Sequence, residues 1–179
     1  MATAYFNMVS VSNIQYADAT ADGTAPASLK SLNVVEEGKF NPDFPEPSTT
    51  PSINELTQQP YRIRRAPVTN KISVDLPQVG MDSLKDFMSG TFTAGAAGTT
   101  PDTFALSGSD SDPVNKYVLI TGLNNRGKVV TCICHNCLVT SSWTGAVGAN
   151  QTTVPLQVVF TLLEDNSADR KLVTFGGAF

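Results

Sequence analysis

Two runs of strand-forming residues, 116–123 and 128–141, flank the tetrad Asn124-Asn125-Arg126-Gly127. Asn and Gly accept the positive φ that a tight reversal needs, so the pair reads as a long antiparallel hairpin. A hairpin alone is marginal in water and calls for further strands against which to bury a face. Residues 5–11, 29–35, 104–106, 154–164 and 171–175 supply them. Residues 61–76 read as a strand pair or one bent strand, with Pro67 at an edge, bulge or turn. One helix is expected over 81–89. Ser83 with Asp86 resembles a capping box, Leu84, Phe87 and Met88 share a face, and Gly90 is a natural stop. The expected fold is mainly β, an antiparallel β-sandwich or barrel with one short α-helix.

Residues 38–60 break this pattern. They contain Pro42, Pro45, Pro47, Pro51 and Pro60, and proline has no amide to give to a ladder, so no central strand fits here. A long Pro-rich loop at about 37–60 is expected, and long loops in compact domains tend to carry function. Residues 94–113, rich in Gly, Thr, Ser and Asp, read as a second loop. With 179 residues, the chain suits a single domain over 1–179, ending in a C-terminal arm at about 170–179.

Charge narrows the function classes. The formal net charge is -4, which argues against nucleic-acid binding driven by clustered Lys and Arg. The first residues carry no basic stretch followed by an apolar run, and no window is apolar enough to span a membrane. Synthesis in a reducing cytoplasm, with no membrane partner, is the expectation. Three cysteines, an odd number, fit that setting.

All three cysteines and the only histidine fall in Cys132-Ile133-Cys134-His135-Asn136-Cys137. Structural zinc takes four such ligands in a tetrahedron, normally from two separated pairs. A regular strand instead places Cys132 and Cys134 on one face and His135 and Cys137 on the other. The stretch therefore reads as a packed strand in which free cysteine acts as a small hydrophobe. A metal-binding β-domain built on these residues remains the alternative. No phosphate-binding glycine loop, nucleophile elbow or paired-His motif occurs, so no enzyme and no cofactor are expected.

Two further groups suggest contact with other chains. Arg62 and Arg64 share one face of a regular strand, with Arg65 beside them. They fit either a carboxylate-binding patch, to which guanidinium forks are suited, or a solvated face. Phe40, Phe44, Trp143, Phe175 and Phe179 lie in or beside loops and the tail, where aromatic anchors favour either local packing or a neighbouring subunit. The candidate subunit interface is Phe40, Phe44, Ile53, Leu56, Arg62, Arg64, Arg65, Phe175 and Phe179.

Four stretches carry a family resemblance. Residues 36–60 look like a long loop after an early strand, and 81–90 like a short helix beside a sandwich. KVVTCICHNCLVTSSW (128–143) looks like a late strand leading to a turn, and VPLQVVFTLLED (154–165) like a near-terminal strand. In this order the chain resembles the tail tube (major tail) proteins of long-tailed bacteriophages. The resemblance implies a virion structural protein, made in the host cytoplasm, whose homohexameric rings stack into a tube. DNA would pass through without specific binding, past a negatively charged lumen. It further implies sheets joined between subunits around the channel, a long loop reaching the next ring, and contacts with tape measure and terminator proteins. The related alternatives are a tail terminator, neck or capsid decoration protein. A carbohydrate- or host-binding β-sandwich is a reading from a different class.

Overall fold

The computed structural model describes residues 8–32, 40–46, 49–53, 55–58, 60–65, 68–76, 79–107, 115–143, 155–165 and 167–177. In chain order the elements are β1 (Ser10–Asp18), β2 (Lys30–Leu32), β3 (Phe40–Asp43), β4 (Thr49–Ile53), β5 (Pro60–Arg65) and β6 (Lys71–Leu76). There follow α1 (Met81–Leu84), β7 (Gly90–Thr93), β8 (Thr103–Leu106), β9 (Lys116–Leu123), β10 (Val129–Trp143), β11 (Leu156–Leu162) and β12 (Val173–Gly176).

The expected hairpin is the centre of the molecule. β9 and β10 pair through the turn at 124–127, where the Asn124 side-chain oxygen accepts from the amides of Arg126 and Lys128, both at 2.9 Å. Gly127 has the positive φ of 70° that the turn requires. Around this pair one antiparallel sheet runs in the order β2-β1-β9-β10-β11-β6-β3. β12 lies on β10 as well, beside residues 131–134, while β11 takes 137–143. β4–β5 and β7–β8 form separate two-stranded sheets. The fold is mainly β and antiparallel, with one short helix, as expected.

One face of the large sheet carries the core. Ile14 and Tyr16 of β1, Val118 and Ile120 of β9, Val158 and Phe160 of β11, and Ile72 and Val74 of β6 are buried on it. Each such side chain contributes about 1.5–3 kcal/mol by leaving water. The α1 segment covers part of this face through Leu84 and Phe87, with the Phe87 ring 4.9 Å from that of Tyr16. The Ser141 hydroxyl donates to the Phe87 carbonyl at 2.7 Å and fixes the lid to β10.

Several local expectations give way to tertiary structure. The helix is a single turn, Met81–Leu84, followed by turns. Its N-cap is Gly80, so Ser83 lies inside the turn and makes no capping bond, and the Asp86 carboxylate is bonded to Tyr16 and Lys30. The first strand starts at Ser10, later than residues 5–11 suggested, and residues 1–7 lie outside the described part. A bulge between Val11 and Asn13 breaks its alternation, so the apolar residues Val11 and Ile14 fall three apart. At that bulge β1 passes over Gly122 so closely that a Cβ there would overlap the Ser10 carbonyl oxygen. Residues 61–76 are two strands in different sheets, β5 with β4 and β6 between β11 and β3. The Pro-rich stretch also holds strands. Pro42 sits in β3, at the end of the large sheet's strand order, and Pro51 in the two-stranded β4–β5 sheet, so neither is in a central strand.

Phe160→Ala removes a fully buried ring at the centre of the core. We expect a loss of about 3–5 kcal/mol in urea unfolding, with the slope unchanged.

Candidate functional site

The sulfur-rich strand resolves through a register shift. Cys134 lies opposite Val118 and Cys137 opposite Lys116, so β10 advances three residues while β9 advances two. His135 and Asn136 take up the difference as a β-bulge. The bulge corrects the expectation that Cys137 shares a face with His135. All three thiols are buried in the core cluster and unbonded to one another as disulfides. Contact with Cys134, then burial, pushes the Cys132 thiol well above its ordinary pKa. Cys134 is also raised: the Cys132 hydrogen bond lowers it, but contact with Cys137 and burial outweigh that. Such thiols stay protonated and are poor nucleophiles.

His135 is directed elsewhere. Its Nε2 lies 2.8 Å from the Thr174 hydroxyl of β12, and its ring meets Tyr117 edge-on at 6.0 Å. Three sulfurs in the core and an imidazole toward β12 do not converge on one ion. Among the described residues no group of three or more His, Cys, Asp or Glu side chains is placed to hold a metal.

The candidate interface residues fall into separate places. Phe40 is half-buried and packs against the core. Phe44, just beyond β3, is 42% exposed and meets the ring of Phe175 of β12, 47% exposed, in a T-shaped contact at 6.2 Å. Sequence alone gave no reason to join these two, one just beyond β3 and one on β12. Ile53 and Leu56 lie at the turn of the β4–β5 hairpin and are 52% and 95% exposed. Trp143, at the end of β10, is also exposed. Arg62, Arg64 and Arg65 lie on β5, opposite Ser52, Thr50 and Thr49. Their side chains, and Phe179 as a whole, lie outside the described residues.

Two charged contacts had no local signal in the chain. Asp86 accepts from the Tyr16 hydroxyl at 3.0 Å and pairs with Lys30 at 2.7 Å. Lys116 is buried and pairs with Asp18 at 2.5 Å, the two residues facing each other in the β1–β9 ladder. These partners are 70, 56 and 98 residues apart, a distance at which spacing rules say nothing. Both fasten β1, one to the α1 segment and one to β9.

No protein-family model and no curated protein matches the sequence. Among solved structures, the chain is similar to one from a cryo-EM study of the anti-feeding prophage cap, described as a tube terminating cap. That match covers 99% of this chain and 95% of the other at 13% identity, with a TM-score of 0.42.

Two measurements check this geometry. A chromogenic thiol reagent at neutral pH should leave the native protein unlabelled over minutes and label all three cysteines in denaturant; rapid native labelling would contradict the burial. Tyr16 is raised above the ordinary tyrosine value, by burial first and then by the Asp86 charge. The folded state therefore retains its proton where the unfolded state loses one, and stability should fall as pH rises above about 10. The urea midpoint between pH 8 and 11 should show that fall, and Tyr16→Phe should flatten it.

Proposed function

We propose that this chain is a structural subunit of a phage tail, the tail tube subunit, assembling into stacked hexameric rings around a DNA-conducting channel. The observation that carries this reading is the β4–β5 hairpin. The Pro-rich stretch contributes a strand to a hairpin whose strands pair with each other and with no strand of the large sheet. At its turn stand Ile53 and Leu56, large apolar side chains held in water. Exposed apolar groups on a separate hairpin suit insertion into a neighbouring ring, where each would leave water.

The large sheet supports the same reading. It has two ends, β2 and β3, short strands of three and four residues, and edge backbone groups are templates for pairing with another chain. Joining edges between copies satisfies them. The charge pattern suits a conduit. Across β9, β10 and β11 the only charged residue is Lys116, and it is buried against Asp18. The opposite face of those strands, with Leu119, Thr121, Thr131, Ile133, Thr140 and Val159, offers phosphate no cationic anchor. Tape measure and terminator proteins would be the partners at the ends of the tube.

Negative-stain electron microscopy of the purified protein at rising concentration tests the proposal. Hollow tubes of stacked rings are expected. The double variant Ile53→Asp, Leu56→Asp should keep the wild-type circular dichroism and urea midpoint while losing tubes. Single closed rings that never stack would replace this reading with a terminator or neck role. Tubes of normal length from the double variant would remove the hairpin from the mechanism.

A further inference from the structure

The β10 bulge turns His135 and Asn136 toward the segment between β11 and β12. There three polar side-chain atoms are buried without a protein hydrogen-bond partner: His135 Nδ1, Asn136 Oδ1 and Asp165 Oδ2. Backbone bonds hold the three residues together. The Asn136 carbonyl accepts from Leu163 N at 2.8 Å, and its side-chain amide donates to the Glu164 carbonyl at 2.9 Å. His135 N donates to Leu172 O at 3.4 Å, and Asp165 N to Lys171 O at 3.1 Å. Residues 135–136 are thus gripped between 163–165 on one flank and 171–172 on the other.

The roles of two of these atoms follow from their neighbours. The Glu164 carbonyl fixes the Asn136 amide nitrogen toward itself, so Oδ1 is an acceptor. Asp165 is 5% exposed. Its Oδ1 already accepts from the Ser167 amide at 3.1 Å, the Ser167 hydroxyl at 2.6 Å and the Lys171 amide at 2.9 Å. Those bonds, the hydroxyl first, hold its carboxyl below the ordinary carboxylate range, and the nearby His135 adds to the effect. Oδ2 is therefore also an acceptor. It lies beside Gly23, where a Cβ would come within 2.8 Å and where the residue has no side chain to supply a donor. A buried acceptor without a donor is costly, and more so when charged. His135 and Asp165 make no direct ion pair, and the two oxygens and the ring nitrogen all lack a protein partner.

We propose that the β10 bulge is a binding site for one internal water molecule, which donates to Asn136 Oδ1 and Asp165 Oδ2 and accepts from His135 Nδ1–H. A water has two hydrogens for the two oxygens and a lone pair for the ring, and a buried water with three protein partners is the usual case. The assignment dictates the histidine tautomer. Nδ1 carries the proton, and Nε2 accepts from the Thr174 hydroxyl across their 2.8 Å contact. The water then links the bulge, the residues after β11 and the strand β12 into one polar unit. This inference is independent of the assembly proposed above.

Histidine-selective long-range 1H–15N correlation spectroscopy of the full chain at pH 8 reads the tautomer directly. His135 is the only histidine, so the spectrum contains a single imidazole. We expect a protonated Nδ1 and a bare Nε2. We further expect Asp165→Asn to move the ring toward the Nε2–H form, because the new amide brings a donor into the site and frees the water's hydrogens. An Nε2–H ring in the wild type overturns the proposal whether or not the variant folds. So does a thermal midpoint raised by Zn2+ or Mn2+ but not by Mg2+, which would make the three atoms metal ligands instead.

Discussion

Everything else in this molecule hangs on the backbone ladder of β10. This strand of 15 residues gives one edge to β9 along its first half and the other edge to β12 and then β11. Among the described residues it is the only strand that joins the N-terminal part of the sheet, β2-β1-β9, to the C-terminal part, β11-β6-β3. The side chains it sends inward, Val130, Cys132, Cys134, Cys137 and Val139, form the middle of the buried face. Losing its register would separate two half-sheets and open the buried face they share.

Much of this was legible in the chain because the information is local. The Asn-Asn-Arg-Gly turn and its β-branched flanks carry the hairpin in a single window, and β11, with Leu156, Val158, Phe160 and Leu162 alternating, carries its own burial pattern. What stayed hidden depends on partners far away. β1 has only Ile14 and Tyr16 as fully buried residues among Ser, Asn and Gln, and it becomes a strand because β9 offers it an edge. β3 and β4 contain proline and still form, since each needs its amides on one side only. Ser83 and Asp86 carry a capping signature, but the helical turn starts earlier, after Gly80, and Asp86 is bonded to a tyrosine hydroxyl and a lysine amine that are distant in the chain.

The exposure of the candidate interface residues was legible in part. Composition pointed to aromatic and aliphatic residues in the Pro-rich stretch and the tail, and Phe44, Ile53, Leu56 and Phe175 are exposed. Phe40 differs because it opens β3, where the pleat turns it to the core. The contact between Phe44 and Phe175 could not be read from the chain, as it needs the positions of β3 and β12 in space. Its effect is to tie the end of β3, in the Pro-rich stretch, to the C-terminal strand β12.

The bulge at His135 and Asn136 divides β10 by parity. Before it the inward residues are even-numbered, and after it they are odd. The chain thus contains a point where length and core pattern are uncoupled. Removing either bulge residue would restore plain alternation and turn no core side chain outward, whereas the same deletion two residues away in either direction would have to be absorbed by sliding that irregularity along the strand. The core can therefore be silent about a change of length here, while the polar surroundings of the bulge are not. A single strand in this way carries two independent instructions, one for what is buried and one for what is held at its surface.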